Sequence, residues 1–333
     1  LDKPWDIIVV GGGITGAGIL REAARLGLRA LLVEKKDFAW GTSSRSTKLV
    51  HGGLRYLKQG QFGVTFHSVR ERERLLREGP GLVEALGFLT PIYEDGTSRR
   101  ALGGGLTIYD LFAWRRDHRY YAADDFRMLA PHVAVEKLRG GFRYRDALTD
   151  DARLVLRIVR EAVFDGATAL NYTAAESLLF DGDGRVNGVR LQDQVTDRAT
   201  ELRAKVVINA TGAWADRLRS QVGAEPRIRP SRGSHLIFLA WRLPASQAIT
   251  LWHPDDQRPV FVVPWEGATL VGTTDLDHQQ SLDEEPHIDS EETAYLMTAR
   301  EAGFPRLHLQ ARDVLATFAG IRPLVRSGGE DNT

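Results

Sequence analysis

Asp6-Ile-Ile-Val-Val-Gly-Gly-Gly-Ile-Thr-Gly16 is the stretch that decides the fold class. Four apolar residues after a charge read as a buried strand. Gly11, Gly13 and Gly16 then match G-x-G-x-x-G, with Ile14 and Thr15 inside the pattern. The first glycine permits a tight turn, the second lets a pyrophosphate approach the backbone, and the third packs helix against strand. A helix to about Leu26 follows, with Ala17, Leu20 and Ala24 on one side and Gly27 as its stop. Ala30-Leu-Leu-Val33 is the next strand and runs into Glu34 and Lys35. Glu34 stands 18 residues past Gly16, where a carboxylate accepts from ribose hydroxyls and repels a 2′-phosphate. The unit predicts a β-turn-α-β dinucleotide site. It does not separate FAD from NAD.

The surrounding chain has 333 residues, 44 Lys+Arg and 44 Asp+Glu, so bulk neutralisation of nucleic-acid phosphates is not its mode of binding. With 43% hydrophobic residues it can bury a core, and its length favours two lobes. Having no Cys, it has no disulfide, thiolate zinc site, cysteine-ligated cluster or Cys nucleophile. No apolar run approaches the roughly 20 residues of a spanning helix. A cytoplasmic protein is expected, peripheral on the inner face of the membrane if it contacts one.

Further along, residues 46–79 read as helical with breaks near Gly60 and Gly63, and Gly103–Gly105 reads as a loop. Thr149-Asp-Asp starts a helix carrying Val155, Ile158, Val159 and Ala162. Residues 167–210 read as strands around the Asp181-Gly-Asp-Gly184 turn. Val206–Ile208 leads into Asn209-Ala-Thr-Gly212, and four or five strands fill 227–274. Asp289-Ser-Glu-Glu292 is a capping box, and a last strand runs Val314–Ile321. The expected fold is α/β. A Rossmann-like FAD-binding domain (1–79, 140–225 and 314–333) is interrupted by a β-rich α+β substrate domain (80–139 and 226–313).

Gly41-Thr-Ser-Ser-Arg-Ser-Thr-Lys48 is rich in hydroxyls that suit phosphate and ribityl oxygens. It enters Leu49-Val-His51-Gly-Gly-Leu-Arg55-Tyr56-Leu57, which carries His, Arg and Tyr without a packing reason. This stretch resembles the signature of FAD-dependent glycerol-3-phosphate dehydrogenases and the related glycerophosphate oxidases. Asp150-Asp-Ala-Arg-Leu154, Asn209–Gly212, Arg232-Gly-Ser-His235, Phe261–Trp265, Val271-Gly-Thr-Thr-Asp275 and Gly320-Ile-Arg-Pro-Leu324 agree in order. The resemblance implies the D-amino-acid-oxidase type of flavoprotein fold, with FAD as cofactor. In that family the chain continues past the position of Thr333. A further substrate-binding Arg, a Gly-rich turn closing on the flavin and often a C-terminal helical domain follow. A fragment or shortened chain that loses FAD readily is therefore expected.

The implied reaction is oxidation of sn-glycerol 3-phosphate to dihydroxyacetone phosphate, with electrons passed to a quinone. An oxidase that makes peroxide and an inactive flavin-binding fragment or subunit stay open as alternatives. An amine-oxidising relative would not need the stretch ending in His51-Gly-Gly. Expected cofactor contacts are Gly11, Gly13, Ile14, Thr15, Gly16, Glu34, Lys35, Thr42, Ser43, Ser44, Thr47, Leu49, Gly52, Gly53, Ala174, Thr211 and Gly212. Arg55 and Arg322 are the phosphate candidates, because a guanidinium binds bidentately and stays charged. Tyr56, Thr273 and Thr274 are candidates for substrate oxygens. His51 and His235 are candidates for the base. On a helix, His51 and Arg55 would share a face. His287, His308, Glu284 and Glu285 have no compact ligand spacing, so no metal is expected. Partners expected besides the substrate are the quinone, a peripheral membrane contact and a second copy of the chain in a homodimer.

Overall fold

The computed structural model describes residues 4–326. The chain first lays down β1 (Trp5–Val10), α1 (Ile14–Arg25) and β2 (Ala30–Val33), and a 3-10 turn at Thr42–Ser44 follows. It then crosses to a second sheet with β3 (Leu49–Val50), α2 (Leu54–Lys58), α3 (Phe62–Glu78), β4 (Val83–Tyr93) and α4 (Arg99–Ala113). β5 (Arg119–Ala122), α5 (Ala123–Leu129) and β6 (Leu138–Thr149) complete that visit. It returns for α6 (Asp151–Phe164), β7 (Thr168–Leu170), β8 (Thr173–Phe180), β9 (Val186–Asp193), β10 (Ala199–Asn209) and α7 (Ala215–Ser220). Finally it crosses back for β11 (Ile228–Leu239), β12 (Ala248–Trp252), β13 (Pro259–Trp265), β14 (Ala268–Gly272), β15 (Leu276–Asp277), α8 (Ser290–Gly303) and β16 (Val314–Val325).

The smaller sheet has the order β7-β2-β1-β10-β9-β8. β1 pairs in parallel with β2 and β10, as the expected β-turn-α-β unit requires. Its glycines are sterically required. Gly11 has φ +112°, and a Cβ on Gly16 would collide with the Gly11 carbonyl. The larger sheet runs β15-β11-β14-β13-β12-β4-β6-β3, with β16 also on β11 and β5 also on β6. Neighbouring residues on its strands enter opposite cores, as a period of two dictates. Val262 and Val271 pack beneath α8 with Leu296, while Val263 and Leu270 pack against α3 and α4 with Val69 and Leu106.

The structure corrects several expectations. Strands in residues 49–50, 140–149 and 314–325 pair in the larger sheet, and α3 packs on its face, although the sequence reading places these ranges in the nucleotide lobe. A run of apolar residues specifies a strand, not its partner sheet. The rest of the last range, 327–333, lies outside the described residues. Gly103–Gly105 belong to α4, where a Cβ on Gly103 would press on Phe142 at 3.1 Å. Gly63 lies inside α3 rather than breaking it. No described helix is long and apolar enough to cross a membrane.

The cap at Asp150 forms as expected, its side chain accepting from Arg153 N at 3.1 Å. Asp150→Ala should lower stability by about 1 kcal/mol, read from urea unfolding, because one helix-end amide loses its acceptor.

Candidate active site

At the carboxyl ends of β1 and β10, Gly13 opens α1 without a side-chain cap. Its first amide instead donates to Ser43 Oγ at 3.0 Å. The N-terminal end of the helix dipole is therefore left facing the turn, as an anionic ligand requires. Glu34 folds back on that turn, with Oε2 accepting from Gly12 N at 2.7 Å and Oε1 from Lys36 N at 2.8 Å. Each carboxylate oxygen keeps a free lone pair. Thr173 N donates to the Glu34 carbonyl at 2.7 Å, which sets the buried Ala174 beside the same corner. Thr211 donates to Asn209 Oδ1 at 2.7 Å, and Gly212 turns with φ +58°.

Residues 41–48 form a strap from this turn to the larger sheet. Thr42 Oγ1 donates to the Ile321 carbonyl, and Thr47 Oγ1 meets His235 Nε2 at 3.0 Å. The buried Lys48 donates to Asp151 Oδ1 at 2.8 Å and to the Ser44 carbonyl at 2.7 Å. His235, on β11, is 2% exposed and stacks on Phe318 of β16 at 4.4 Å. Its Nδ1 has no hydrogen-bond partner. Arg322 Nη2 donates to Thr273 Oγ1 at 3.0 Å, and Nη1 reaches Asp275 Oδ1 at 3.3 Å. Two glycines leave room for these groups. A Cβ on Gly233 would strike the Arg322 guanidinium, and one on Gly272 would strike the His235 ring.

Burial first, then the positive charges of Arg322 and Lys48, push the His235 pKa down to about 3. Burial also lowers the Arg322 pKa, against the pull of Asp275, and the charges of Arg258 and Arg55 add to the lowering.

Residues 6–332 match the family described as FAD dependent oxidoreductase. The chain belongs to that family. It is 38% identical over 338 residues to the aerobic glycerol-3-phosphate dehydrogenase of Staphylococcus epidermidis, covering 99% of this chain and 60% of that protein. The Staphylococcus aureus protein of the same name is 38% identical over 333 residues, with 98% and 60% covered. The chain thus spans about 60% of the length of these curated relatives. Its fold superposes on the Bacillus halodurans glycerol-3-phosphate dehydrogenase complexed with FAD, at TM-score 0.83 and 35% identity. That match covers 98% of this chain and 58% of the other. The FAD-bound L-alpha-glycerophosphate oxidase of Mycoplasma pneumoniae shares the fold alone, at TM-score 0.78 and 18% identity over 98% of this chain and 85% of that one.

The residues of this FAD-dependent oxidoreductase fit a dinucleotide at the glycine turn. A Cβ on Gly13 would stand 3.0 Å from Ser43 Oγ and fill the cradle above the helix end. Gly11, Ile14, Thr15, Gly16, Thr42, Ser44 and Gly212 belong to the elements around that cradle. Lys35 instead pairs with Asp283 at 3.0 Å, a carboxylate that also pairs with Arg217 of α7 at 2.8 Å. Leu49 pairs with Leu148 in the larger sheet, and Gly52 and Gly53 precede α2. Because α2 begins only at Leu54, behind a left-handed Gly53, His51 is not on the helix that carries Arg55. The expected shared helical face is absent, and both side chains are exposed. Tyr56 lies under the Arg55 guanidinium, 5.9 Å from its ring centre. The Thr274 hydroxyl is used internally. It donates to the buried Glu292 at 2.6 Å and accepts from Ser234 N at 2.9 Å, so it is not available to a substrate. Sequence reasoning missed Lys48, Asp151 and Asp275 as site-building groups. All three lie in stretches quoted for other reasons, Asp151 both in a helix start and in the Asp150–Leu154 segment of the family resemblance.

The depressed pKa of His235 has a pH signature. The unfolded imidazole binds a proton near pH 6.5, whereas the folded one does so only near 3. Its contribution to stability is therefore complete above about pH 6.5. It is lost toward pH 3 at up to about 1.4 kcal/mol per unit. Urea unfolding between pH 4 and 7 should give a flatter pH slope for His235→Gln than for the unsubstituted chain. Equal slopes would contradict a neutral buried His235.

Proposed function

We propose that the site beside the strap oxidises the C2 hydroxyl of sn-glycerol 3-phosphate to the ketone of dihydroxyacetone phosphate, with FAD seated along the glycine turn and strap. The observation that carries the reading is the Arg322 guanidinium, which donates to Thr273 Oγ1 close to the buried His235 and lowers the pKa of that imidazole, with Arg55 proposed as the second cation. FAD, when bound, supplies the acceptor for the hydride leaving C2. The protein supplies binding, orientation and proton acceptance. Arg55 and Arg322 hold the phosphate dianion, which joins Asp275 as a counter-charge to Arg322. Tyr56 is the candidate for the remaining substrate oxygens, while the Thr273 hydroxyl, which donates to the Thr274 carbonyl at 3.1 Å and accepts from Arg322, orients that guanidinium. Neutral His235 and Thr47 form a fixed hydrogen-bonding pair beside the site. His51 is solvent-accessible, and it takes the hydroxyl proton.

Curated relatives at 38% identity are named dehydrogenases, which favours a quinone over oxygen as acceptor. A peripheral contact with the membrane surface accords with Phe62, Phe66, Leu111 and Trp114, exposed on α3, α4 and its C-terminal cap beside Arg70, Arg74 and Arg115. The interrupted nucleotide lobe and the inserted substrate lobe would then meet at the strap.

Four measurements on the full-length protein test this reading. Glycerol 3-phosphate should bleach the flavin under nitrogen. Gly13→Ala should lower flavin content, and stoichiometric FAD in that variant would displace the cofactor from the glycine turn. Arg55→Ala should raise KM by about 10-fold or more, since a charge-assisted hydrogen bond contributes roughly 1.5–3 kcal/mol. His51→Gln should cut kcat by about 10²- to 10⁴-fold with flavin retained. Flavin reduction at the unsubstituted rate would move the base to His235.

A further inference from the structure

One buried polar cluster lies outside the chemistry above. Arg72 on α3, Tyr109 on α4 and Asp146 on β6 are 2%, 1% and 2% exposed. Arg72 Nη1 donates to the Asp146 carboxylate, to the Tyr109 hydroxyl at 3.2 Å and to the Arg145 carbonyl at 3.0 Å. The Tyr109 hydroxyl donates to Asp146 Oδ1 at 2.6 Å. Burial of this kind is not in itself stabilising, because apolar groups of similar volume often serve as well. The cluster does something an apolar core would not. It presents two acceptors to one backbone amide, and Gly52 N donates to Tyr109 Oη at 2.6 Å and to Asp146 Oδ1 at 3.2 Å. The contact is so close that a Cβ on Gly52 would collide with Val69 and the Tyr109 phenol.

The peptide held in this way joins His51 to Gly52. Beyond it, Gly53 turns left-handed and α2 begins with Leu54 and Arg55. The His51 side chain is exposed, so the point from which its imidazole reaches out is set by the backbone that this amide anchors. Burial, reinforced by Asp146, raises the Tyr109 pKa well above its ordinary value, so the phenol keeps the proton it donates.

We propose that Tyr109 and Asp146, held in place by Arg72, are positioning residues. They fix the His51–Gly52 peptide, so that the imidazole and the Arg55 guanidinium stand at a set separation on the rim of the cleft. This rests on the reading of that cleft as the glycerol 3-phosphate site. Proximity and orientation act on the chemical step more than on ground-state binding when the displaced group is the base.

The test compares Tyr109→Phe with Glu73→Gln in the full-length, FAD-loaded protein. Glu73 pairs with Arg72, Arg145 and Arg115 and makes no contact with the Gly52 amide, so it reports on damage to the ion cluster alone. Hydrogen exchange by mass spectrometry, without substrate, should show the Gly52 amide exchanging about 10-fold faster or more in Tyr109→Phe and near the unsubstituted rate in Glu73→Gln. With glycerol 3-phosphate, Tyr109→Phe should lose about 10-fold in kcat with KM changed by less than about 2-fold, and Glu73→Gln should change neither beyond about 2-fold. Unchanged Gly52 exchange in Tyr109→Phe overturns the proposal, as does an equal loss of kcat in both variants. If the unsubstituted protein fails to oxidise glycerol 3-phosphate, the substrate assignment fails, and the exchange measurement still decides whether Tyr109 holds the turn.

Discussion

The ion pair between Lys48 and Asp151 is the interaction on which the arrangement of the cleft depends. Their side chains are 8% and 11% exposed, with Nζ and Oδ1 2.8 Å apart. Asp151 is the first residue of α6, and its other oxygen accepts from Ser46 N at 3.2 Å and Ser46 Oγ at 2.7 Å. Lys48 also donates to the Ser44 carbonyl and lies over the rings of Trp265 and Phe318 at 5.3 and 5.5 Å. The pair thus pins the strap to the nucleotide-side helix while its cation rests on the larger sheet. Loss of one partner would leave a buried charge without its counter-ion, at a cost of about 3–5 kcal/mol.

The same cation shapes the electrostatics of the cleft. Lys48 and Arg322 both disfavour a protonated His235, so positive charge is concentrated on groups that do not titrate near neutrality. Asp275 is the counterweight. It accepts from Ser231, pairs with Arg258 and reaches Arg322 at 3.3 Å. A carboxylate shared among three donors leaves each cation incompletely neutralised. This is the condition under which an incoming dianion gains from entering.

Much of this was legible along the chain because its causes are local. The glycine turn, the caps at Asp150 and Asp289 and the turn at residues 181–184 depend on residues within a few positions of one another. His51 is misplaced on a helix because residues 46–79 read as helical with breaks only near Gly60 and Gly63, whereas Gly53 supplies the left-handed residue before α2. The Gly103–Gly105 loop failed because tertiary packing on Phe142 outweighs the low helix propensity of glycine. Lys48 and Asp151 are 103 residues apart, and the pairing of Ser231 with Arg322 spans nearly a hundred. Neither is written in any window of sequence.

The crossing of the chain between the two sheets has a consequence for how the molecule is made. Trp5 finds its neighbour only at Ala204, and β11 is completed only by β16. During synthesis, the amino-terminal strand must wait for about two hundred residues before its sheet can close, at ribosomal speeds of roughly 5–20 residues per second. Contacts of such long range slow folding, because loop closure must come before the pairing that rewards it. A nascent chain released before β16 would expose both apolar sheet faces together, and the surroundings of His235 and Arg322 would come into being only with that strand.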